Sequence, residues 1–140
     1  MLEKAKKLRD RLPLDYAVGL RSLSSIMANL PVHTITTVFH LQRQLWELIN
    51  EATETEWMMF KQFGETQETI PELEQLKNAA ERLRNSYSRL YTLMLQVAES
   101  QPVANSATLD LLLQSIERGE STASASQASV QEIKMTWNLI

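Results

Sequence analysis

LEQLKNAAERLRNSYSRLYTLMLQV, residues 73–97, decides the fold. Its apolar residues fall at Leu73, Leu76, Ala80, Leu83, Tyr87, Leu90, Met94 and Val97, a spacing of three then four throughout. That rhythm is the a/d seam of a heptad helix, and it runs for about 36 Å. A seam of this length must be covered by other helices, from the same chain or from a second one. The last heptad widens to include Tyr91, Leu93 and Leu95, so further packing is expected at that end.

Upstream, Thr69-Ile70-Pro71-Glu72 has the form of a capping box with proline in the first turn. Gly64 and the polar run Glu65–Glu68 form a loop before it. The preceding stretch, 32–63, opens with β-branched residues that locally suggest a strand. The spacing of Ile35, Val38, Leu45, Ile49 and Ala52 instead predicts a helix. On a helical wheel Phe39, Trp46, Trp57 and Phe60 cluster beside this stripe, and Leu41, Leu48 and Met59 extend it on the other side. About half of the circumference is apolar, so this helix is expected to touch neighbours on two sides. Two such helices joined by a short loop make an antiparallel αα-hairpin.

Nearer the N-terminus, Leu2, Ala5, Leu8 and Leu12 mark a short basic helix closed by Pro13. Asp15 is the expected N-cap of a helix over 16–30, with Tyr16, Leu20, Leu23, Met27 and Leu30 on one stripe. Leu30-Pro31 marks the next boundary. After the hairpin, Pro102 is a stop, and Leu109, Leu112, Leu113 and Ile116 predict a short helix ended by Gly119. Residues 120–129, all small or polar, read as a flexible linker. Val130, Ile133, Trp137 and Ile140 then recur at helical spacing, behind a Ser129/Glu132 capping pattern.

The expected fold is therefore an all-α antiparallel bundle of four to five helices built on the long hairpin. Residues 1–119 form the bundle, 120–129 the linker and 130–140 a C-terminal amphipathic helix that either closes the bundle or docks on another chain. Three glycines and four prolines in 140 residues are too few for the many turns of a β-rich fold.

Composition also limits function. With no cysteine, disulfides and thiolate metal sites are excluded. No apolar run approaches the roughly 18 residues that a membrane span needs, and Pro13, Asp15 and Arg21 interrupt any secretory h-region. A cytoplasmic protein is expected. His33 and His40 fall on the polar side of their helix with Glu47, Glu51 and Glu54, and no Glu-x-x-His pair occurs, so no metal or other cofactor is expected. Ser22, Ser24 and Ser25 lie in no nucleophile elbow, and no glycine-rich phosphate loop is present. These features predict a protein that is not an enzyme.

The reading that fits is a helical protein-protein interaction module: an adaptor, regulator or assembly subunit, with self-association as a dimer compatible with the seam. Its expected partner-binding residues are Val130, Ile133, Trp137 and Ile140 on the tethered tail, and Tyr91 and Leu95 at the wide end of the seam. The charge pattern suits such contacts. Lys4, Lys6, Lys7, Arg9 and Arg11 crowd the N-terminus, whereas 43–74 carry eight glutamates against Arg43 and Lys61. Two alternatives draw on the same charges. A small subunit of a nucleoprotein complex would use Lys77, Arg82, Arg84 and Arg89 with the basic N-terminus, although a net charge of −3 makes free nucleic acid a poor partner. A peripheral membrane-surface binder would lay helix 2–12 on anionic lipid.

Overall fold

A computed structural model describes residues 30–139. Among them are three helices and no strand: α1 (Val32–Phe63), α2 (Ile70–Glu99) and α3 (Ser106–Thr136). Residues 64–69 and 100–105 connect them, and the chain runs up, down and up again. All three pairs of helices touch. The parallel course of α1 and α3 brings Glu51 to Lys134 and Phe63 to Trp137.

The hairpin lies where its punctuation puts it. Pro31, in extended conformation, precedes α1, and its carbonyl accepts from Thr34 and Ile35 N–H. The β-branched opening is helical. Thr36 and Thr37 hydroxyls donate to the carbonyls of Val32 and His33, four residues back, which absorbs their competing polarity within the helix. Gly64 ends α1 at φ 70°, a conformation that disfavours any side chain. The capping box sits three residues earlier than the sequence suggests. Thr66 Oγ1 accepts from Thr69 N–H at 3.1 Å, and Thr66 N–H donates to Thr69 Oγ1 at 2.7 Å. Thr69 also donates to the Gly64 carbonyl at 2.8 Å and is buried, so it cannot cap toward Glu72.

The count of helices differs from the expected four to five for two reasons. The helix expected over 2–12, and all but Leu30 of the one expected over 16–30, lie outside the described residues; Leu30 itself is not helical. The two helices expected after Pro102 are one: α3 starts at its N-cap Asn105, whose side chain accepts from Thr108 N–H at 2.7 Å, and runs unbroken to Thr136. Residues 120–129 are therefore helix, not linker, and 130–136 continue it; Ser129 lies mid-helix and caps nothing. The physical reason lies in the buried positions Leu112, Ile116, Gly119, Ala123, Ser126, Val130 and Ile133. They keep the four-three rhythm, but the middle of the seam is written in small side chains.

Gly119 shows what the small seam permits. A Cβ at this position would lie 2.9 Å from Leu41 Cδ2 and 3.6 Å from Leu90 Cδ1. Leucines from both neighbouring helices thus occupy the space that a side chain would need. Gly119 is a contact point in mid-helix rather than a helix stop.

The α2 seam is filled from within the chain. Leu73, Leu76, Leu83, Leu90 and Val97 are buried together with Ala79 and Leu93, while Ala80, Tyr87 and Met94 are half-buried. Two apolar clusters result. One is built around Leu41, Leu45, Leu83, Leu90 and Leu112, with Leu30 and Ala104 at its end. The other contains Met59, Leu73, Leu76, Val130 and Ile133 near the α1–α2 loop. At the waist between them the buried side chains include Ala79, Thr55 and Ser126. Beside the waist, Glu51 accepts from Lys134 Nζ at 3.1 Å and Gln131 Nε2 at 2.8 Å.

Ser126 Oγ is buried without a hydrogen-bond partner among the described residues. A desolvated, unpaired hydroxyl is destabilising, and serine is a poorer helix former than alanine. Ser126→Ala is expected to stabilise the protein by about 1 kcal/mol, read as a rise in thermal midpoint. An unchanged or lower midpoint would show that the hydroxyl is paired.

Candidate functional site

The residues expected to bind a partner divide sharply. Val130 and Ile133 are 1% and 2% exposed and belong to the core around Met59 and Leu76. They cannot serve a partner without unfolding α3. Trp137 is half-buried, its ring edge-on to Phe63 with centroids 5.2 Å apart. Ile140 lies outside the described residues. The C-terminal segment is thus no tethered ligand: through Thr136 it forms the last turns of α3, which complete the bundle.

Tyr91 and Leu95 are on the surface, 54% and 44% exposed. They lie four residues apart and so share a face of α2. Tyr91 and Tyr87 form one wall of an open recess of about 410 Å³ between α1 and α2; Phe39, Gln42, Arg43 and Trp46 form the other.

This recess is one end of a longer feature. Phe39, Trp46, Trp57 and Phe60 are 58, 60, 61 and 48% exposed. At 100° per residue they share one narrow stripe of α1, about 32 Å long. The core takes the arc of Val38, Leu41, Leu45, Leu48, Ala52 and Met59 and leaves the aromatic arc outside. Its position in sequence marks these four residues as an excess apolar arc, but not as a surface. Only the choice of contact face by α2 and α3 decides that.

Charged residues border the stripe. Arg43 Nε donates to Glu47 at 3.2 Å on its outer side, where Glu54 is also exposed and makes no ion pair among the described residues. On the α2 side Glu56 faces Lys77 at 3.9 Å. The aromatic line thus has charged groups along both edges.

A second surface lies between α2 and α3. Arg82, Arg89 and Arg118 converge with Ser115, Ser121 and Thr122 on an open recess of about 540 Å³. Arg89 Nε donates to Ser115 Oγ at 2.9 Å, which holds one guanidinium at the recess wall. Glu117 also lines it and lowers its net positive charge.

His33 and His40 are exposed on α1. Among the described residues no three histidines or carboxylates gather as a metal site, and no helix is long and apolar enough to cross a membrane. Comparison of the chain with protein-family models, curated proteins and solved structures finds no match in any of the three.

Proposed function

We propose that this protein is a helical interaction module that works as an adaptor, regulator or assembly subunit and binds another protein chain along the α1 aromatic stripe. The observation that supports this reading is the line of Phe39, Trp46, Trp57 and Phe60 on the surface. One exposed tryptophan is ordinary. Here four large aromatic residues stand on one line of a helix as two pairs, Phe39/Trp46 and Trp57/Phe60, with exposed Asn50 and Thr53 between them, and rings of this kind dominate helix-mediated binding.

Quantitative affinity capture from the source cell tests the reading, with the intact chain compared with Trp46→Ser and Trp57→Ser. Both positions are exposed, so the fold should tolerate the changes. The expected result is a loss of about 30-fold in retained partner, which corresponds to a hot-spot contribution near 2 kcal/mol. Equal recovery of the same proteins by all three chains would overturn it.

A second reading has its own observation in the convergence of Arg82, Arg89 and Arg118. It makes the α2–α3 recess a phosphate contact within a nucleoprotein assembly. Salt-sensitive retention of RNA or DNA, lost when Arg82 and Arg118 become alanine, would select it over the first.

A further inference from the structure

We propose that the chain docked on the α1 aromatic stripe is a second copy of this protein, its α1 packed parallel to the first about a two-fold axis. Asn50 of each copy meets its twin at the centre of the contact. The proposal rests on reading the stripe as a docking surface, and it names the occupant.

The spacing of the exposed face is the first support. Phe39, Trp46, Thr53 and Phe60 recur every seventh residue of α1, and Arg43, Asn50 and Trp57 follow the first three of them by four. All seven are exposed. They keep the four-three alternation of a coiled-coil seam from 39 to 60, on the side of α1 opposite the buried Leu41, Leu48, Ala52 and Met59. The other two helices pack behind this face and leave it open. Asn50 stands at its middle, between the aromatic pairs. A lone asparagine in such a seam costs stability and fixes the register and the number of strands, because each amide bonds its twin. Arg43 is drawn to the edge of the seam by its 3.2 Å bond to Glu47.

Area gives the second support. At their observed exposures, the four aromatic residues leave roughly 450 Å² of each copy in solvent, since each such side chain carries 150–250 Å². Pairing two copies covers up to about 900 Å² on these rings alone. Arg43, Asn50 and Thr53 from both copies take the total past the ~1,000 Å² that a specific interface needs.

Charge selects the orientation. The Glu56–Lys77 contact at 3.9 Å sets the level of α2 against α1. Arg84, seven residues on, stands level with position 49 and is exposed on the same flank of α2 as Lys77 and Tyr91. Arg84 and Glu54 make no ion pair among the described residues. In parallel register Glu54 of one copy falls between the levels of Lys77 and Arg84 of the other, and Glu47 falls beside Arg84. The two-fold axis repeats both approaches. Antiparallel pairing about Asn50 sets Glu47 against Glu54 instead, and brings Lys77 of each copy toward Arg84 of the other. Like charges then meet on both sides of the seam, which opposes that orientation.

Sedimentation of the full-length protein at about 100 μM is expected to give twice the mass of the chain, since an interface at the lower end of the size range holds with micromolar affinity. A spin label at His40→Cys reports the orientation. His40 is exposed beside the seam, and the chain has no cysteine of its own, so only distances between copies are read. Parallel pairing predicts a narrow distribution near about 25 Å, and antiparallel pairing one near about 35–40 Å. Trp46→Ser should weaken dimerisation about 1,000-fold, because the two-fold axis counts each anchor twice. Arg84→Glu should weaken it about tenfold, and Glu54→Arg in the same chain should restore most of the loss.

A monomer at that concentration would overturn the proposal. So would the longer distance, a dimer indifferent to Trp46→Ser, or no recovery in the Arg84→Glu/Glu54→Arg chain. The docking reading fails separately. A monomer whose capture of another protein still falls with Trp46→Ser and Trp57→Ser leaves that reading standing and removes only the choice of occupant. A monomer with undiminished capture removes both.

Discussion

Ser124→Pro is expected to destabilise the protein by about 3 kcal/mol or more, and Ser124→Ala to leave it unchanged or slightly more stable. Ser124 is exposed in mid-α3, so neither substitution removes a core contact. Proline acts here on the backbone alone. It deletes the N–H that bonds to the carbonyl of Glu120, and its ring collides with that carbonyl. In a flexible linker the same proline would be nearly neutral. The pair of variants therefore separates a continuous α3 from two helices joined by a tether. Chemical denaturation with helix content followed in parallel provides the measurement. A proline variant as stable as the parent would refute the unbroken helix.

A second pair of neighbouring residues separates core from surface. Leu90 is fully buried and Tyr91 is 54% exposed, one position apart on α2. Leu90→Ala is expected to cost about 2–5 kcal/mol, from lost apolar burial and from the cavity left against α1 and α3. Gly119 beside it has no side chain to move into the space, which favours the upper part of that range. Tyr91→Ala should stay within about 0.5 kcal/mol of the parent in stability but weaken partner retention at the α1–α2 recess. Denaturation midpoints and retained partner, measured on the same two variants, should move in opposite order. A large stability loss from Tyr91→Ala would mean that its ring belongs to the core.

The long hairpin was legible because its ends carry strong punctuation. Pro31, Gly64, Pro71 and Pro102 bracket 32–63 and 70–100, and the observed helices end within a residue of those limits. The same rule misled at Gly119, where glycine serves close packing instead of termination. The stretch after it lacks large apolar residues, so it reads as linker although Gly119, Ala123 and Ser126 keep the heptad rhythm. A seam written in small residues is invisible to any reading that scores hydrophobic bulk. The threonine cap moved from Thr69 to Thr66 because both are followed, three residues on, by a side chain able to complete a box. The widening of the seam marked Tyr91 and Leu95 as apolar residues beyond the core positions, and they lie on the surface. Val130 and Ile133 were not assignable, since an amphipathic helix has the same pattern whether its groove lies in its own chain or in another. The continuity of α3 decides that point.

The waist of small and polar side chains has a consequence for how the molecule opens. Cooperative unfolding travels through interlocked bulk, and little of it crosses from the Leu41–Leu90 cluster to the Met59–Val130 cluster. The bundle is therefore two units of local stability threaded on three common helices. Opening that starts at the α1–α2 loop can release Phe63, Trp137 and the last turns of α3 while the other half keeps its shape. Glu51, bonded to both Gln131 and Lys134, is the polar tie between α1 and α3 beside that waist.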